Sequence, residues 1–198
     1  MAAAERMSDP PSPPGSRVIV RAPLAAGMTF MNASRDEAFG YDELLAWVDQ
    51  FLVEPGLMPM PTSIQEPGAG TISVEGGAPN SAWATSREAR AGRIASTARA
   101  RVAVQLGGLL ATPVDDRFLA AAIFAGRVQR VSMDHHASWR AQPVADERLS
   151  DLVLSLFAAD VLTNREDYER ELCVCEVCGR VRFAKDPAAR TRCSQHLR

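Results

Sequence analysis

Cys175-Glu-Val-Cys178-Gly179 and Cys193-Ser-Gln-His196 are two ligand pairs, each with two intervening residues, separated from one another by fourteen. Two residues between ligands let both side chains reach one ion, and two such pairs fill the four-coordinate tetrahedral shell of a structural zinc site. Cys175, Cys178, Cys193 and His196 are therefore the expected ligands of one Zn2+, and a full shell leaves no catalytic position. Gly179 stands where a left-handed turn residue is wanted after the second thiol. Between the pairs, Val181-Arg182-Phe183 reads as part of a small hairpin turning at Lys185-Asp186-Pro187, with a helical turn from Ala188 carrying the second pair. So short a segment buries too little apolar surface to fold alone, so bound metal is expected to supply most of its folding free energy. Cys173, two positions before the first ligand, reads as a spare thiol, a small buried hydrophobe or an alternate ligand.

Upstream the pattern turns helical. Asp146 opens a strongly apolar run, Leu149, Leu152, Val153, Leu156, Phe157 and Val161, expected to be a core helix ending near Thr163-Asn164. Thr112-Pro113-Val114-Asp115 has the residues of a helix start, a capping hydroxyl, proline at the first position and an acid at the third, which predicts a helix to about Val131. Residues 133–144 read as irregular or extended. Ser86 to Leu110 places Ile94, Ala98, Val102, Leu106 and Leu109 on one side of a long helix, weakened at its end by Gly107-Gly108. Phe39, Leu44, Leu45, Trp47, Val48, Phe51 and Leu52 recur at three- and four-residue steps, so a helix begins near Tyr41-Asp42 and Pro55 ends it. Residues 55–80 hold five Pro and five Gly and read as a loop around a short strand at 71–74. Val18-Ile-Val20 reads as a strand that 27–32 continues or pairs with. The Pro- and Ser-rich residues 1–16 read as a disordered tail.

The expected fold class is thus mainly α, or α+β with a few short strands: a mostly helical domain over 17–165, then a treble-clef-like zinc-binding module over 166–198. At 198 residues and 46% hydrophobic composition the chain can bury a real core. No run of about 18 apolar residues and no signal-peptide core occurs, so no membrane partner and a cytoplasmic location are expected. Closely spaced cysteines in a reducing compartment argue for metal over disulfides. Twenty-one of the 22 basic residues are Arg and Ala is abundant, a bias that points to a GC-rich bacterial genome.

A formal net charge of -2 gives no global attraction to nucleic acid, so such a partner needs a local patch. One exists: Arg180, Arg182, Lys185, Arg190, Arg192 and Arg198 stand against Asp186 alone over 177–198. Arg87, Arg90, Arg93, Arg99 and Arg101 are spread round their helix and read as an ordinary exposed face. Asp134-His135-His136 lacks the partners of a metal or catalytic centre and reads as a surface loop. No nucleophile motif, phosphate loop or dinucleotide fingerprint occurs, so no enzyme is read.

The finger resembles the treble-clef fingers of the bacterial CGNR type, which end proteins whose helical N-terminal part is called the ABATE domain. The resemblance rests on Cys-x2-Cys-Gly-Arg-x-x-Phe, Asp186-Pro187, Arg190-Thr-Arg192 and Cys193-Ser194. Upstream, Phe30-Met-Asn32, Glu43-Leu-Leu-Ala-Trp47 and Asp160-Val-Leu-Thr-Asn164 through Tyr168 are similar to that family's early Phe-x-Asn, first helix and lead into the knuckle. Here the fourth ligand position is His196 rather than Cys, and the Cys-Gly-Asn-Arg signature itself is absent. The resemblance implies a DNA-binding transcriptional regulator, and the basic patch offers Arg180, Arg182, Lys185, Arg190 and Arg192 as the candidate nucleic-acid contacts. A finger that caps the helical domain or docks another protein in an assembly is the alternative.

Overall fold

Pro23 sits at the start of Ala22–Asn32, where its missing amide hydrogen costs nothing, and Leu24, Ala26, Phe30 and Met31 recur at helical steps and are buried. The segment is helix α1, which corrects the strand expected over 27–32. The proline at the second position is the start signal that outranks the short β-branched run before it. The computed structural model describes residues 21–33, 39–74, 81–133, 136–185, 192–193 and 195–196. The expected tail over 1–16 and strand at 18–20 lie outside the described residues.

α2 (Tyr41–Val48) runs on into a π-helical turn over Asp49–Val53. A hairpin follows, β1 (Ser63–Glu66) antiparallel to β2 (Gly70–Ser73), with Ile64 facing Ile72 and both buried. The loop expected over 55–80 thus holds two strands. Its first strand is hidden in the sequence because Ile64 is its one apolar residue, set between Pro61 and Pro67. α3 (Ser81–Gly108) buries Ala91, Ile94, Ala95, Ala98, Val102 and Leu106 and ends at the glycine pair.

α4 spans Arg117–Phe124 only, not Thr112 to Val131 as expected. Residues 109–116 turn back on the end of α3, where the Asp115 amide donates to the Gly108 carbonyl at 2.9 Å. At the other end Gly126 takes φ +69, a left-handed stop after the last helical turn. The β-branched Val128 and Val131 then belong to β3 (Val128–Met133), antiparallel to β4 (His136–Ala141).

α5 (Leu149–Thr163) is buried on all sides, through Leu152, Val153, Leu156, Phe157, Ala158, Ala159 and Val161. A helix apolar all round has to be surrounded, and α1, α3, α4 and β4 pack against it. α1 comes close because Gly27 leaves room: a Cβ there would stand 2.7 Å from the Phe157 ring. The start of α5 borrows its cap from the hairpin, for Glu66 accepts from the Ser150 amide at 2.9 Å and its hydroxyl at 3.1 Å. At the far end buried Asp160 takes Arg21 through two bonds, at 2.6 and 2.7 Å, and the Tyr168 hydroxyl at 2.8 Å. Burial, then the Asp160 charge, push the Tyr168 hydroxyl well above its usual pKa, so it stays a donor.

α6 (Arg165–Glu171) leads into β5 (Leu172–Val174), which pairs antiparallel with β6 (Val181–Phe183), Leu172 opposite Phe183. Val181-Arg182-Phe183 is therefore a hairpin strand as expected, but its partner lies before the Cys175–Cys178 turn rather than after Lys185. Leu172 and Val174 are fully apolar positions opposite Phe183 and Val181, a match that the polar 185–187 segment cannot offer. Asp186 and Pro187 lie outside the described residues.

Candidate metal centre

The turn between β5 and β6 is the knuckle itself. The Cys175 amide donates to the Arg180 carbonyl at 2.9 Å, closing the hairpin, and the Gly179 amide donates to the Cys175 carbonyl at 2.7 Å. Gly179 takes φ +70, and a Cβ added there would meet the Cβ of Ala103 on α3 at 3.1 Å. Conformation and packing both call for glycine at this point. The second pair makes its own turn, in which the His196 amide donates to the Cys193 carbonyl at 2.8 Å.

These turns bring the ligand atoms of Cys175, Cys178, Cys193 and His196 within 4.8 Å of one another. Cys175 Sγ is 3.5 Å and Cys193 Sγ 3.1 Å from His196 Nδ1, and Cys178 Sγ is 3.6 Å from Cys193 Sγ. Tetrahedral zinc with sulfur at ~2.3 Å and nitrogen at ~2.0 Å has ligand-to-ligand edges of about 3.5–3.8 Å. The cluster is therefore compatible with one metal ion. None of the four cysteines is in a disulfide.

Burial raises the Cys175 thiol, but amide hydrogens of Cys193, Cys178 and Val177 outweigh it and bring the pKa down to about 6. Burial, with neighbouring Cys175 and Cys193, pushes Cys178 up to about 11. Thiolates this close repel one another, and a bound cation removes the conflict by holding all of them ionised. Cys173 stays outside the cluster. It is buried, with its thiol directed to the Glu171 carbonyl at 3.4 Å.

The knuckle is seated on the helical part by an asparagine. Asn32, the last residue of α1, donates from Nδ2 to the Val181 carbonyl at 2.8 Å and accepts the Val181 amide on Oδ1 at 2.9 Å. Its carboxamide pairs with β6 as a neighbouring strand would. In the sequence Asn32 stands out only within the Phe30-Met-Asn32 resemblance, although a polar residue at the end of an apolar helix is a signal that it bonds elsewhere.

The expected basic contacts are arranged unevenly. Lys185 is exposed, and Arg180 and Arg182 are partly buried. Arg182 donates to the Arg192 carbonyl at 2.8 Å, and exposed Arg192 lies 3.7 Å from Glu176. Arg190 lies outside the described residues. On α3, Arg87 stacks on the Tyr41 ring at 3.6 Å, Arg90 donates to the Thr71 carbonyl at 3.4 Å, and Arg101 pairs with Glu66 at 3.2 Å. Arg90 and Arg101 thus tie α3 to the hairpin, and Arg87 ties it to α2. Arg99 is turned inward, which the sequence did signal, since it stands four after Ala95 and three before Val102 on the buried stripe. His136 opens β4 opposite Met133, while Asp134 and His135 lie outside the described residues.

Among the described residues no helix is long and apolar enough to cross a membrane. Comparison of the chain with protein-family models, curated proteins and solved structures gives no match.

Proposed function

We propose that this chain is a non-enzymatic bacterial zinc-finger protein, a transcriptional regulator that contacts DNA through a treble-clef-like finger. The observation that carries the reading is the gathering of Cys175, Cys178, Cys193 and His196 on a hairpin flanked by Arg180, Arg182, Lys185 and Arg192. When bound, zinc offsets most of the charge of the crowded thiolates and cross-links the two turns. The ordered hairpin then holds its basic residues in one place, where they offer charge to phosphates without reading sequence. The resemblance to CGNR-type proteins points the same way. Anisotropy titration against random duplex at several salt concentrations tests it. Binding should weaken as salt rises, and Arg180→Ala with Lys185→Ala should reduce the salt slope by about one per lost contact.

One observation favours an assembly role instead. Arg182 and Arg192 are engaged with acceptors of the finger itself, which leaves less free charge for phosphate. Absence of salt-dependent binding to duplex at micromolar concentration would favour a finger that docks protein.

A further inference from the structure

Among the described residues Arg99 is an enclosed cation with no anion beside it. Its Nε donates to the Phe30 carbonyl at 2.9 Å, and its guanidinium lies 4.6 and 5.4 Å from the ring centroids of Phe39 and Phe30. Among the described residues its buried Nη2 has no hydrogen-bond partner. Burial lowers its pKa to about 10, so it remains charged at neutral pH. Arg21 and Arg127, which are also partly enclosed, each hold two carboxylates. Taking a charge out of water without a counter-ion is costly, and aromatic faces recover only part of that cost.

Arg99 lines a cleft of about 790 Å³ between α3 and the knuckle. Met31, Ala103, Val104 and Val177 give it apolar walls, and Arg180 brings a second positive charge. Among the described residues that line it Glu176 is the one acid, and that carboxylate lies 3.7 Å from Arg192. Val104 is 71% exposed and Val177 52%, apolar side chains left open at the rim. A concave space in which apolar walls meet a few convergent polar groups is a usual form of small-molecule site.

We infer that this cleft binds a small amphipathic carboxylate, its anionic end held by Arg99 and Arg180 and its apolar body against Met31, Val104 and Val177. Because Cys175, Cys178 and His196 form the opposite wall, the ligand touches helix and knuckle at once and tightens the seat of one on the other. The inference is independent of nucleic-acid binding.

Calorimetric titration of the full zinc-loaded chain with octanoate and with its uncharged isostere octanamide tests it. Octanoate should bind one per chain and octanamide at least about tenfold more weakly, since only the carboxylate makes charge-assisted bonds. Exposed Ser96 lines the same cleft one helical turn before Arg99. Ser96→Glu supplies a carboxylate from the chain, so it should weaken octanoate at least about tenfold with an unchanged or raised melting temperature, while Ser96→Gln keeps wild-type affinity. Arg99→Met should abolish binding, and Ser96→Glu keeps the test decisive if that variant does not fold. Equal binding of octanoate and octanamide, no binding of either at about 1 mM, or an unaffected Ser96→Glu would overturn the inference.

Discussion

α5 and the knuckle hold their places by opposite means. α5 is apolar on every side, and each neighbour that covers it adds burial at roughly 25 cal/mol per Å². The knuckle has two short strands, four ligand side chains and one asparagine to seat it, and its crowded thiols oppose its own fold until a cation joins them. Burial that accumulates over many residues tolerates the loss of a neighbour, whereas a cross-link made by four atoms does not tolerate the loss of one. Sequence change should accordingly be felt through the whole molecule at α5 and only locally at the knuckle.

The largest effect is expected in the core. Phe157→Ala removes a fully buried ring packed on Gly27 and should cost about 3–5 kcal/mol. Urea unfolding should show the same loss with and without a chelator. If the chelator changes it, the two regions do not hold separately.

Asn32→Ala sharpens the boundary between them. It leaves the Val181 amide and carbonyl without their partner and should cost about 1–3 kcal/mol. The loss should appear as faster hydrogen exchange in 172–183, with α5 unchanged. Gly179→Ala, which forces a left-handed residue against Ala103, should cost about 1–2 kcal/mol and be confined to the same segment.

The knuckle alone should respond to pH through its thiols. Metal must displace the proton of Cys178, whose pKa is pushed up to about 11, so protons compete with metal throughout the neutral range. Apparent affinity should fall about tenfold per proton for each unit of pH lowered, and metal-dependent stability falls with it. Competition with a chromophoric chelator at pH 6.5, 7.0 and 7.5 measures the slope; a flat profile would mean that Cys178 is not a ligand. Arg192→Ala, an exposed change beside Glu176, should stay within about 0.5 kcal/mol of wild type in stability.

The metal cluster was legible in the sequence because its spacing is a local property: two residues between ligands define each half before any fold is known. α5 was legible because its apolar run is long. The elements misread were decided by signals of one residue. Pro23 opens α1, Gly126 stops α4, and Ile64 alone marks β1. The polar contacts that fix the architecture join residues far apart, Glu66 to Ser150, Arg21 to Asp160 and Asn32 to Val181, and no local pattern announces such pairs. Arg99 is intermediate, since its place on a buried stripe was readable but its missing anion shows only in three dimensions.

One metal ion held by Cys175, Cys178, Cys193 and His196 is proposed to maintain the knuckle. Elemental analysis of the purified, reduced protein tests it most directly: one zinc per chain is expected, falling to near zero in Cys178→Ala with α5 still folded. A zinc content near zero in the wild type, or full retention of zinc by Cys178→Ala, would contradict it.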